Sequence, residues 1–195
     1  MVRPRKFDDA DVLDRATDLF WKNGSDAVSI RDLEAALDLR APSIYRRFHS
    51  KERLLVRCID RYVDHEVGGR VEHILDDADD PLFGLRAFFT SVLRTHPGER
   101  CPRGCLLTAT SAHADATTPE VRRALDRGFH TIEAALAVQI ERAIAAGQLA
   151  TDTDAGASAK ALMLSFQGLL VLASSGASDL RANIDATFHA LVPTD

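Results

Sequence analysis

A chain of 195 residues with 46% hydrophobic content can bury a sizeable core in one or two closely packed domains, which excludes a disordered segment. A net charge of −5 argues against a uniform nucleic-acid coat, so any such contact must come from uneven charge. We read no apolar run long enough to cross a bilayer and no apolar stretch behind the basic start, which sets the expectation of a cytoplasmic protein without a membrane partner.

The start, Met1 to Lys6, carries Arg3, Arg5 and Lys6 and no acid. It could follow phosphates or enter a minor groove, or it could serve only as a solubilising tail. From there on, apolar residues recur at spacings of three and four with no sustained alternation, so every predicted element is a helix. The first begins near Asp8 in FDDADVLDRATDLFWKNG and stops at Gly24. The second opens at Ser29, a cap residue with Asp32 three positions on, and Pro42 fits the first turn of the third, where a missing N–H costs nothing. Ile30, Leu33, Leu37, Leu39, Ile44 and Phe48 fall where two crossing helices share a small core.

Arg40, Ser43, Tyr45, Arg46, Arg47 and Lys51 then lie along the third helix and its exit, and from Leu39 to Arg53 five cations stand against Glu52 alone. This is the pattern of a helix-turn-helix, whose second helix enters the major groove with its flanks on phosphates. The competing reading is a solvated, arginine-rich face of a helical bundle.

Ser50 should cap a long helix through Leu54, Leu55, Cys58, Ile59, Tyr62 and Val63 toward Leu75, joining a head to a body. Asp76, Asp77, Asp79 and Asp80 form a solvated loop, with metal binding a distant alternative. Asp80-Pro81 and Thr118-Pro119 read as helix starts and Gly147 and Gly176 as stops, giving helices near 81–96, 103–114, 119–146, 154–174 and 179–191. The fold class is all-α, with a three-helix DNA-binding domain at 1–50 and a helical effector-binding and dimerisation domain at 51–195.

The body offers weaker signals. The last two helices carry more apolar surface than one stripe needs, so Ala159, Met163, Phe166, Leu170, Ile184 and Phe188 are candidates for a subunit interface. Burial of that second face within one chain is the alternative. Tyr62, Phe88, Phe89, Val92, His96, Leu106, Leu107, His113, Phe129 and Phe166 could line an apolar pocket, or could be ordinary core. Cys101 and Cys105 flank Pro102-Arg103-Gly104, where arginines and a helix start favour a thiolate; a small apolar cysteine closing the helix start is the plainer reading. His96, Cys101, Cys105 and His113 match no compact zinc spacing, so no metal and no cofactor are assigned. No Ser-His-Asp order, phosphate-binding glycine loop or HExxH sequence supports an enzyme.

The segments FDDADVLDRATDLFWKNG, SIRDLEAALDL, RAPSIYRRF and HSKERLL together resemble the DNA-binding domain of the TetR (tetracycline-repressor) family of bacterial regulators. The run Ile44-Tyr45 through Phe48 to Ser50-Lys51-Glu52 is its most specific part. Asp38 departs from the glycine usual at the turn, though aspartate tolerates left-handed backbone better than most residues. The resemblance implies phosphate contacts by Tyr45, Arg47 and Lys51, with Arg31 in addition, and base-edge contacts by Arg40, Ala41, Ser43 and Arg46. It also implies a homodimer on a palindromic double-stranded DNA operator, heads spaced one DNA turn or about 34 Å apart, and repression released by a small-molecule effector. A thiol- or electrophile-responsive regulator using Cys101 and Cys105 is one alternative, because some family members carry a segment like Gly104 to Leu107. A helical enzyme or protein-interaction module is the alternative of another class.

Overall fold

A computed structural model of the chain describes residues 8–94, 104–112 and 118–192, and among these it is helical without strands. Helix α1 (Asp9–Asn23) starts where the Asp8 carboxylate accepts the Ala10 N–H at 3.1 Å, and it buries Val12, Ala16, Phe20 and Trp21. Helices α2 (Ile30–Leu37) and α3 (Ala41–Phe48) follow as the expected pair. Helix α4 (Lys51–Tyr62) opens at Ser50, whose hydroxyl accepts the Arg53 N–H at 3.1 Å. Its buried Leu54, Leu55, Cys58 and Ile59 close the head against α1 while other contacts reach α8, so this helix belongs to both halves.

The helix runs on past Tyr62 as expected, but not as regular α. Val63–Val67 is π-helical, α5 (Gly68–Arg70) restores one turn, and Val71–Asp76 is π-helical again. β-Branched Val63, Val67 and Val71 crowd a regular turn, and the Gly68-Gly69 pair holds it weakly, which favours the wider ladder. The far end is clamped: the Arg142 guanidinium donates to the Leu75 carbonyl at 3.2 Å, the Ala78 carbonyl at 2.8 Å and Gln139 Oε1 at 2.9 Å.

Helix α6 (Pro81–Ser91) is capped by the Asp80 carboxylate, which accepts the Phe83 N–H at 2.9 Å. It ends before the expected residue 96, in a turn at Val92 and Leu93. Helix α7 (Leu106–Ser111) is shorter than its expected span, and α8 (Pro119–Ala145), α9 (Ala155–Ser174) and α10 (Leu180–Leu191) fall where the caps and glycines set them. Gly128 marks a close approach in the body. A Cβ there would lie 2.8 Å from Leu107 Cδ1 and 2.9 Å from Val63 Cγ2, so any larger residue would make those side chains shift where α7, α8 and the π-helical stretch meet.

One sequence expectation is corrected by α9. Its 20 residues are long and apolar enough to span a membrane by length and composition, with a third of the apolar window buried. Alanine, glycine and serine interrupt the bulky residues and disguise the run. The buried side packs on α8 and α10, and the outer side carries Leu164, Val171 and Leu172 at 76%, 51% and 43% exposure.

Candidate nucleic-acid interface

The pair α2 and α3 is fixed by chemistry at its ends. The Ser29 N–H donates to the Asp32 carboxylate at 2.8 Å and the Asp32 N–H donates to Ser29 Oγ at 3.3 Å, a reciprocal cap at the expected place. The Ser29 hydroxyl and backbone bonds hold the Asp32 carboxyl below its usual value. At the turn Asp38 is left-handed, with φ 53° and ψ 39°, the conformation expected of an aspartate standing in for glycine. Sequence reasoning missed the next device. The Glu34 carboxylate accepts the Ala41 N–H at 2.6 Å, so α2 caps α3 across the turn. Arg40 occupies the cap position but supplies no such bond, and a seven-residue span across a turn belongs to no local capping pattern.

Beneath this pair Leu33, Leu37, Leu39, Ile44 and Phe48 are buried, and Ile30 is only partly so. Above it Arg31, Arg40, Tyr45 and Arg46 are exposed, while Ala41, Ser43 and Lys51 are half-buried at the margins. Tyr45 stands 45% exposed, which frees its ring and hydroxyl for contact. Arg47 differs from its neighbour Arg46: it pairs with Asp9 of α1 and lies 5.8 Å above the Phe48 ring. It therefore braces α1 to α3.

The head joins the body through α1 and α4. Arg61 Nη2 donates to Asp14 Oδ2 at 2.7 Å, with a second bond from Nε, and Arg61 thereby holds the Asp14 carboxyl below its ordinary range. The Trp21 and Tyr62 rings meet edge to face at 5.0 Å. Burial, and then the neighbouring Cys105, keep the Tyr62 phenol neutral by raising it well above its usual value.

The expected pocket residues do not converge on a described cavity. Tyr62, Phe88, Phe89, Val92, Leu106, Leu107 and Phe166 are buried, and Phe129 is half-buried. Phe88 stacks on Phe166 at 4.9 Å, and Phe89 meets Phe166 at 5.1 Å and Phe188 at 5.2 Å, so these rings fill space. Among the described hollows, Phe89 alone of the set borders one, a shallow cleft of about 200 Å³ between α9 and α10. His96, Cys101 and His113 lie outside the described residues, as does the tail at Met1 to Lys6. Cys105 is buried at 4% exposure, and burial pushes the Cys58 thiol up to about 12, which makes it inert core.

The six expected interface residues are buried within one chain. Ala159, Met163, Phe166, Leu170, Ile184 and Phe188 are all under 9% exposed because they face α6 and α8 or one another. The face left open on α9 is instead Ala157, Lys160, Ala161, Leu164, Ser165, Gly168, Val171 and Leu172.

An exposed basic helix, braced on a three-helix head that shares α4 with an all-helical body, defines a helix-turn-helix DNA-binding regulator. Residues 12–58 match the family model for bacterial regulatory proteins of the tetR family, and residues 81–187, more than half of the chain, match the tetracyclin repressor-like C-terminal domain. The chain belongs to the TetR family. It is 26% identical over 176 residues to the HTH-type transcriptional repressor ComR of Escherichia coli K12, covering 90% of this chain and 84% of that one. A cysteine mutant of the TetR family transcriptional regulator CifR, complexed with 26-base-pair operator DNA, superposes with a TM-score of 0.83 at 30% identity over 97% of this chain and all of that one. Reduced NemR of Escherichia coli shares the fold with a TM-score of 0.83 at 20% identity, covering 94% of this chain and 96% of that one.

Proposed function

We propose that this TetR-family regulator binds a palindromic operator as a homodimer, represses the adjacent genes and is released by a small molecule. The observation that carries the reading is the outer face of α3, where Arg40, Tyr45 and Arg46 stand free of the core while Glu34 and Asp38 fix the helix that presents them. ComR, named a repressor, and CifR, held on operator DNA, support it. Arg40, Ala41, Ser43 and Arg46 take base edges, and Arg31, Tyr45 and Lys51 take phosphates. Arg47 reaches a phosphate by exchanging Asp9 for it. In functional terms the division falls between residues 50 and 51, the regulator acts in the cytoplasm where DNA is reached, and no catalytic step is required of it.

The dimer reading moves from the buried residues to the open face of α9 with its neighbour α10. A bare stripe containing Leu164, Val171 and Leu172 is more apolar surface than solvent favours, and a second copy of the same stripe covers it with two-fold symmetry. Effector release then follows as a population shift. α4 and its π-helical extension run unbroken from the head to the Arg142 clamp, so a ligand that favours another position of this lever changes the spacing of two heads. Burial of Cys105 weighs against direct thiol sensing at that residue, since an electrophile must first open the start of α7.

The test is retention of randomly sheared DNA from the encoding organism by the purified protein at moderate salt, sequenced against a no-protein control. Recovery of a few sites sharing an inverted repeat is expected. Equal retention of all sequences overturns the operator reading.

A further inference from the structure

Where the head meets the body, a groove of about 490 Å³ collects five arginines from three helices: Arg47 at the end of α3, Arg53 and Arg57 on α4, Arg123 and Arg127 on α8. Its volume lies within the range of small-molecule sites. Three carboxylates answer these charges. Asp9 pairs with Arg47, Asp60 with Arg127 at 2.8 Å, and Glu120 with Arg53 at 3.8 Å, a loose contact between two half-exposed side chains. Arg57 and Arg123 have no carboxylate partner among the described residues, and Arg57, like Arg47, lies 5.8 Å over the Phe48 ring. Phe48 and Val56 give the groove an apolar floor, and Glu120, Arg123 and Arg127 line it along one side of α8. Folding has thus gathered like charges that gain nothing from one another. Guanidinium forks around a desolvated floor match the oxygens of a phosphate group.

We propose that this junction groove is a phosphate-binding site, in which a phosphate group displaces Glu120 from Arg53 and is held by Arg53 and Arg57 of α4 and Arg123 and Arg127 of α8. Occupancy ties α4 to α8, so the site spans the joint on which the spacing of the heads depends. The phosphate comes either from a phosphorylated small molecule or from DNA backbone flanking the head, and the two sources are separable.

Pyrophosphate is titrated by calorimetry into the full-length protein in low-salt, phosphate-free buffer, and operator affinity is measured in parallel against salt concentration. The variants are Arg57→Gln/Arg123→Gln, Glu120→Gln, and Asp152→Asn, which removes an acid from the exposed turn before α9. If the source is a small molecule, the wild type binds pyrophosphate, the double variant weakens it by about tenfold or more, Glu120→Gln tightens it and Asp152→Asn leaves it unchanged. If the source is DNA, pyrophosphate gives no heat and the operator salt slope of the double variant falls by about two. No response in either measurement overturns the proposal, as does an equal gain from Glu120→Gln and Asp152→Asn, which reports net charge alone. The DNA measurement rests on the operator reading and the pyrophosphate measurement does not, so failure of one is distinguishable from failure of the other.

Discussion

In the head, α2 and α3 span eight residues each, too short to hold themselves, and their ends are set by Ser29, Asp32, Glu34, Asp38 and His49. In the body, α8 and α9 span 27 and 20 residues and are held by what they bury: Leu125, Ile132, Leu136 and Ile140 on α8, and Leu162, Leu169 and Phe166 on α9, the last against Phe88 and Phe89 of α6. The contrast teaches where function can be read locally. A capped short helix has one face for its core and leaves the other for recognition. A long helix between neighbours has several apolar faces, and composition does not say which stays bare.

The sharpest way to break this contrast is at the bare face. Leu164→Glu should convert a dimer to a monomer in sedimentation at micromolar protein and abolish operator binding at that concentration, because a 76% exposed leucine contributes little to its own chain. A retained dimer mass would return the interface to another surface. Phe166→Ala should act in the opposite manner, destabilising the chain by about 3–5 kcal/mol and lowering the melting temperature by roughly 6–20 °C. A fall of a degree or two would mean that the rings line an empty cavity after all.

Within the head, smaller effects separate positions that composition groups together. Arg46→Ala should relax preference at particular base pairs by about 1–3 kcal/mol, whereas Lys51→Ala should weaken binding to every sequence and lower the salt slope by about one. A uniform loss from Arg46→Ala would move it to the phosphate class. The smallest effect belongs to the brace between α1 and α4. Because Arg61 depresses the Asp14 carboxyl, the stability from this pair is present above the unfolded aspartate value near 3.9 and is lost as pH falls through the lower folded value. For a largely exposed pair this amounts to at most about 1 kcal/mol. Asp14→Asn should therefore melt slightly earlier than the wild type at pH 6, with the gap closing as the solution is acidified below pH 4. A gap that persists unchanged in acid would assign the effect to packing.

The head was legible because its signals lie within a few residues of what they control: Ser29 with Asp32, Asp38 at the turn, Ser50 ahead of α4. Even there, Glu34 reaching Ala41 and Arg47 turning to Asp9 escaped, since both depend on the crossing of two helices. The aromatic residues of α6 and α9 gave a cavity and a core the same signature.

From the sequence by itself came the all-α class, the capped and glycine-marked helix boundaries other than the end of α6 and the span of α7, the DNA-reading pair and the continuous helix from Ser50, because caps, prolines, glycines and apolar spacing act along the chain. Tertiary structure alone decided which side of α9 is bare, that Val63–Val67 and Val71–Asp76 widen to π-helix, and that Arg47, Arg53 and Arg57 share one groove with the sequence-distant Arg123 and Arg127. The physical reason is that burial and charge crowding arise between helices, and no local pattern records which helix will arrive opposite which.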